Sequence, residues 1–214
     1  MSPTTIVLSR HGQTVWHQSN RYAGVSDVDM TDQGRTQADA LASWARHERP
    51  DVVVSSPVRR AMETARPAAE AIGGQIHVEP ELKEMSFGVA EGRTMAELRE
   101  TDPGMTARFV ADPVNHHFPA GENPGEVAAR GAATLVRLAG DYPAKTVLVV
   151  AHNTLLRLTL CQLLGINISR YRIVFPRLDN GTLTHISING QGDPVTSLLS
   201  FNVPLPPAQP TQLH

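Results

Sequence analysis

The chain has 214 residues, 41% of them hydrophobic and 19% charged, with a formal net charge of -2; this is the composition of an ordinary folded domain and excludes a disordered chain. The near balance of charge excludes whole-surface attraction to nucleic acid, so any positive field must be local. A single cysteine, Cys161, excludes an intramolecular disulfide and a thiolate metal cage, and no run reaches the ~18 apolar residues of a membrane span.

Met1-Ser2-Pro3-Thr4 lacks a basic segment ahead of an apolar core, so a cytoplasmic protein without membrane or nucleic-acid partners is expected. The run Thr4 to Ser9, centred on Ile6-Val7-Leu8, is continuous rather than alternating, which predicts a central strand buried on both faces. Thr31 is a suitable cap for a helix carrying Ala38, Leu41, Ala42 and Ala45, with Pro50 in the connection after it. Asp51 to Ser55 reads as a second buried strand, and Arg60 to Ile72 as a helix stopped by Gly73-Gly74. The stretch Thr101 to Glu122, with Pro103, Gly104, Pro113, Pro119 and Gly121, predicts an irregular excursion near a pocket.

Asn123-Pro124 predicts a capped helix through Val127, Leu135 and Leu138 toward Tyr142-Pro143. Val147 to Ala151 predicts a third buried strand, running into a helix from Asn153 to Leu164 on which Cys161 is a small buried hydrophobe. Thr182 to Ile188 alternates with period two, and Asn189-Gly190 followed by Val195 to Phe201 predicts a closing hairpin with a loop longer than two residues. Alternating strands and helices imply an α/β fold, a three-layer α/β/α arrangement around a mostly parallel sheet. One domain over residues 1–203 is expected, with a proline-rich tail over 204–214, extended or disordered. An exposed sheet edge would permit a homodimer.

Three predicted strands end in polar clusters: Arg10-His11-Gly12, Ser55-Ser56-Pro57-Val58-Arg59-Arg60 and Ala151-His152-Asn153. In a parallel sheet these ends share one edge, so two imidazoles and at least two guanidiniums converge, a setting suited to an anionic phosphoryl group. Gly12 lets the backbone approach a bound anion. A neutral imidazole can attack phosphorus, and nearby cations keep it neutral. The leaving oxygen needs an acid; among Glu79, Glu81, Glu84 and Glu91, Glu84 has the apolar, turn-forming context Met85-Ser86-Phe87-Gly88 that can hold a carboxyl protonated.

The ordered blocks resemble the histidine phosphatase superfamily, the phosphoglycerate-mutase-like fold. Arg10-His11-Gly12 with Thr14, Asn20-Arg21-Tyr22-Ala23-Gly24, Asp27 and Thr31 to Ala38 match its opening, Ser55 to Ala65 its second block, Leu82 to Gly92 its third and Val150-Ala151-His152 its last. The resemblance implies a phosphohistidine on His11, with Glu84 protonating the leaving group and then helping to activate water. Arg10, Arg60 and His152 surround the phosphoryl oxygens, and no metal or other cofactor is required. Arg60 rather than Arg59 takes the family arginine's place, leaving Arg59 as a solvated charge. Thr14, His17, Ala23, Gly24 and Asn153 are the expected substrate contacts.

Asn153 departs from the family's glycine and His17 from its asparagine, while Val89-Ala90 replaces an aromatic position. His116-His117 reads as a pocket lid or, less favourably, a metal site. His47, His77, His185 and His214 read as surface or edge residues, and Trp16 and Trp44 as packing residues. The excursion and the segment leading into it carry Arg93, Arg99 and Arg108, none adjacent to another, whereas the mutases of this family have paired arginines there. The expected activity is therefore hydrolysis of a small phosphomonoester, a sugar phosphate or a phosphoglycerate- or phosphoserine-type metabolite. A cofactor-dependent phosphoglycerate mutase and a non-catalytic phosphate-binding module are the alternatives.

Overall fold

The structure, a computed structural model, describes residues 2–189 and 195–206. In chain order it runs β1 (Thr4–Arg10), α1 (Val15–Gln18), α2 (Asp32–Glu48), β2 (Val52–Ser55), α3 (Arg59–Ala71), β3 (Ile76–Val78), α4 (Met95–Thr101), α5 (Pro103–Ala111), α6 (Pro124–Asp141), β4 (Thr146–Ala151), α7 (Asn153–Leu163), α8 (Tyr171–Val174), β5 (Leu183–Asn189) and β6 (Val195–Val203). The six strands form one sheet in the order β3-β2-β4-β1-β5-β6. β1, β2, β3 and β4 pair in parallel, and β5 and β6 add an antiparallel hairpin whose connection lies outside the described residues.

The continuous apolar runs follow from burial on both faces. Ile6 and Leu8 of β1, with Val147, Val149 and Ala151 of β4, pack on one side with Leu135 and Leu138 of α6 and Leu155 of α7. Val7, Leu148 and Val150 point to the other side, against Leu41 and Ala45 of α2 and Ala61, Ala65 and Ala68 of α3. Small side chains on α3 and α2 let those helices lie close to each other and to the sheet. Thr31 caps α2 by accepting from the amide of Gly34, and Asn123 caps α6 by accepting from that of Gly125.

The excursion differs from its predicted irregularity. Asp102 accepts from the amide of Met105 and Pro103 occupies the first helical position, so α5 forms where the prolines had suggested a loop. Phe109 and Phe118 stack with ring centroids 3.9 Å apart, and both are core residues. Of the proline-rich tail, 204–206 are described, and Leu205 packs on the face covered by α2 and α3. No helix among the described residues is long and apolar enough to cross a membrane.

Candidate active site

The parallel strands β1, β2 and β4 end at one sheet edge and deliver Arg10, Ser55-Ser56 and Ala151-His152 there; β1 pairs with β4 from Thr5↔Thr146 to Arg10↔Ala151, so His11 and His152 each leave the sheet at the same level. Their ring centroids are 5.1 Å apart. A cavity of about 310 Å³ opens over this edge, lined by Arg10, His11, Thr14, His17, Ala23, Glu84 and Asn153 among others.

His11 is buried, and its Nδ1 stands 2.8 Å from the carbonyl of Gly12. A carbonyl only accepts, so Nδ1 carries the proton and the lone pair is on Nε2. The Nε–H of Arg60 donates to that Nε2 at 3.1 Å. Burial, then Arg60, His152 and Arg10, hold the His11 pKa well below the ordinary imidazole value.

Arg60 enters from the first turn of α3 and is 1% exposed. Its Nη1 donates to Ser26 O at 2.9 Å, and its Nη2 to Ala23 O at 3.0 Å and Gly24 O at 2.7 Å. The same Nη2 is 3.2 Å from His152 Nδ1, which must accept, so His152 turns an Nε2–H to Ser56 Oγ at 2.7 Å. Burial, with Arg60 and Arg10, also holds His152 well below the ordinary value. Arg59 instead faces outward and pairs with Asp29 at the surface.

Glu84 lies across the cavity, 4% exposed. Its Oε1 accepts from the amides of Met85 and Leu155, each at 2.9 Å, and its Oε2 from that of Thr154 at 3.0 Å. The N-terminus of α7 favours the carboxylate, but burial is the larger influence and raises the pKa above the ordinary value. Two of the other acids have structural partners: Glu91 accepts from Gly24, Phe87 and Ser26, and Glu79 pairs with Arg137.

Arg10 donates from Nη1 to Leu178 O at 2.7 Å and from Nη2 to His17 Nε2 at 2.6 Å, while its Nε is buried and unpartnered among the described residues. Burial lowers its pKa to about 10. His17 accepts on Nε2, and its Nδ1 lies 2.8 Å from Thr14 Oγ1 and 3.0 Å from the Thr14 amide nitrogen; burial and the neighbouring Arg10 lower its pKa to about 4. Asn153 Oδ1 is buried without a partner among the described residues.

Three expectations need correction. A Cβ on Gly12 would lie 2.5 Å from Gly34 O, and the Gly12 amide donates to Thr64 Oγ1 at 2.9 Å; the glycine admits the start of α2 rather than an anion. Gly24 is not part of the cavity lining, since its amide is taken by Glu91 and its carbonyl by Arg60. Nor do Arg108, Phe109, His116, His117 and Phe118 line the cavity. Phe109 and Phe118 lie behind Tyr22, with ring centroids 6.0 and 5.2 Å from it, and it is Tyr22 that reaches the cavity. Among the described residues no three His, Cys, Asp or Glu gather as a metal site would need, His116 and His117 included.

Sequence reasoning missed Arg157, Tyr171 and Arg172, which line the cavity, and Asn180, whose Nδ2 donates to His11 O at 2.8 Å. Arg157 had a signal: it lies four residues after Asn153 and so on the same helical face. Tyr171 and Arg172 had none.

A profile of the Histidine phosphatase superfamily (branch 1) matches residues 6–201. The chain belongs to that family. It is 32% identical over 166 residues to phosphoserine phosphatase 1 of Hydrogenobacter thermophilus, covering 78% of this chain and 79% of that protein. It is 30% identical over 161 residues to a protein of Enterobacter sp. (strain 638) named "Probable phosphoglycerate mutase GpmB", covering 75% of each. Its fold overlays the mycobacterial glucosyl-3-phosphoglycerate phosphatase Rv2419c, solved with VO3, with a TM-score of 0.84 at 27% identity over 94% of this chain and 99% of that one. The α/β, phosphoglycerate-mutase-like fold expected from the motifs is the one found.

Proposed function

We propose that this phosphatase hydrolyses a small phosphomonoester through a phosphohistidine on His11. The observation that carries the reading is the tautomer of His11: Nδ1–H is held by Gly12 O at 2.8 Å, which puts the lone pair of this buried, neutral ring on Nε2, where it accepts from the Arg60 Nε–H at 3.1 Å until it turns to the incoming phosphorus. In the first step that lone pair forms a bond to phosphorus, the bond from phosphorus to the ester oxygen breaks with its electron pair on the oxygen, and Glu84 supplies the proton. In the second, water adds to phosphorus, Glu84 takes a water proton, and the pair of the N–P bond returns to Nε2. Arg10, Arg60 and His152 spread the charge on the phosphoryl oxygens, and the unpartnered Nε–H of Arg10 supplies a donor to one of them. This machinery needs no metal, so activity is expected to survive a chelator. Thr14, His17, Ala23 and Asn153, which line the cavity, are the proposed substrate contacts.

The mutase alternative gains one observation, because Arg157 and Arg172, far apart in sequence, meet across Tyr171 in the folded chain. A phosphate-release screen over intracellular phosphomonoesters tests the proposal. Release of inorganic phosphate supports it, and interconversion of phosphoglycerate isomers without release would replace it with the mutase reading. The cytoplasmic location and the absence of nucleic-acid and membrane partners remain part of this reading. So does a homodimer, for which edge strand β6 exposes Val195, Leu199 and Val203.

A further inference from the structure

The strand end that carries His11 is not held by the sheet alone. The His11–Gly12 peptide is tied on both sides: Asn180 Nδ2 donates to His11 O at 2.8 Å, and the Gly12 amide donates to Thr64 Oγ1 at 2.9 Å. Glycine restrains its own backbone less than any other residue, so these ties decide where the Gly12 carbonyl stands. That carbonyl in turn fixes the His11 tautomer. The second Nδ2 hydrogen of Asn180 faces His17 Nε2 at 3.2 Å, the atom that also accepts from Arg10. One side-chain amide therefore touches both the backbone of the nucleophile and the ring that orients Arg10. Asn180 is not part of the cavity lining, so it can act on the reaction only through those two neighbours.

Asn180 belongs to the loop between α8 and β5, and the rest of that loop leans on the same strand end. Leu178 O accepts from Arg10 Nη1 at 2.7 Å, and the Gly181 amide donates to Arg10 O at 2.9 Å. The loop is itself fastened to β6 by Asn202. The Asp179 amide donates to Asn202 Oδ1 at 2.8 Å, and Asn202 Nδ2 donates to Asp179 Oδ2 at 3.1 Å. Asn202 has a φ of 54°, in the left-handed region, where the pairing register of β5 and β6 shifts between Leu183 and His185. A residue with a side chain is strained in that conformation, and the two bonds to Asp179 are what the strain secures.

We propose that Asn180 is a positioning residue for phosphoryl transfer, holding the His11–Gly12 peptide and the His17–Arg10 pair in register with each other, and that Asn202 locks the loop that carries it. The inference rests on the phosphohistidine reading and adds a residue that reaches the reacting atoms only through others. A shift of about 1 Å in the attacking nitrogen or in Arg10 is enough to slow transfer by about 100-fold. Because Asn180 touches no substrate, its loss must weigh equally on every phosphomonoester.

The test is the single-turnover rate constant for ester cleavage, measured in quenched samples with the full chain in excess over p-nitrophenyl phosphate or phosphoserine. Loss of folded protein lowers the amplitude of this phase and leaves its rate constant unchanged, so the readout separates positioning from stability. Asn180→Ala is expected to lower the rate constant by about 10- to 100-fold on both esters alike. Asn180→Asp, equal in size but without the amide hydrogens, is expected to lose at least as much. Should both fail to fold, Asn202→Gly, which accepts the left-handed backbone and frees the Asp179 loop, is expected to lower the same rate constant by a smaller factor on both esters. A rate constant within about twofold of the wild type in the variant measured, whatever its amplitude, or a loss confined to one ester, would overturn the inference and leave the phosphohistidine reading standing. No cleavage of either ester by the wild type, or phosphate trapped on a residue other than His11, would overturn both.

Discussion

The floor of the cavity and its rim are built on opposite terms. On the floor and directly behind it, every ring nitrogen of His11, His17 and His152 and every nitrogen of Arg60 already has a protein partner, so the groups stand in fixed orientations around His11. At the rim Arg157 and Arg172 are anchored by their stems and their π contacts to Tyr171. A preorganised floor stabilises charge without rearranging during the reaction, whereas the rim can only sort substrates. Floor substitutions should therefore lower activity on all phosphomonoesters in proportion, and rim substitutions should change their ranking.

The largest effect is expected from His11→Ala, which removes the attacking lone pair and should lower kcat by at least about 10⁴-fold on every substrate. A variant that loses activity on one substrate and keeps it on another would blur the distinction between floor and rim. Glu84→Gln should lower kcat by about 10²- to 10⁴-fold, with the smallest loss on esters whose leaving group is already acidic, such as p-nitrophenyl phosphate. The sign of the pH profile follows from the same pair. His11 is neutral above its lowered pKa and Glu84 protonated below its raised one, so activity should peak on the acid side and fall as Glu84 ionises, and Glu84→Gln should remove the alkaline fall. A profile rising steadily into alkali would contradict these roles.

Arg60→Met should lower kcat by about 10²- to 10³-fold. It also strands the carbonyls of Ala23, Gly24 and Ser26, and a loss of at least about 2 kcal/mol in denaturant stability is expected. Unchanged stability would mean that Arg60 is not the tie holding that loop.

The division between floor and rim is also the division between what the sequence disclosed and what it did not. Floor residues sit at the ends of buried strands, where a continuous apolar run announces the strand and the next polar residue must emerge at the sheet edge. Arg10, His11 and His152 were legible for that reason. Arg60 and Glu84 needed the ordered motif blocks, since nothing in periodicity separates Arg60 from Arg59. The rim comes from α7, α8 and the loop around Tyr22, whose meeting depends on how helices pack over the sheet. The helix within 101–122 was not legible because Pro103 and Gly104 suggest a loop, whereas Asp102 and Pro103 start a helix that buries Phe109.

The smallest effect concerns stability rather than turnover. His11, His17 and His152 all have lowered pKa values in the folded protein, so the stability they confer is complete above about pH 6.5 and is lost as the pH falls below it, because the unfolded chain then takes up protons that the folded site refuses. Glu84 has the opposite sign: its raised pKa gives stability that is present in acid and is lost as the pH rises through the folded value. With three groups against one, Tm should decline from pH 6.5 toward pH 5, and His17→Asn should flatten the decline. A Tm independent of pH over that window would contradict the buried neutral histidines.

The central claim is that the phosphoryl group passes through His11. It is tested most directly by mixing the enzyme with substrate labelled in its phosphate, quenching within one turnover in alkali, where phosphohistidine survives, and locating the label by peptide mass. The account predicts label on His11 in the wild type and none in His11→Ala; label on another residue, or turnover by His11→Ala at the wild-type rate, would contradict it.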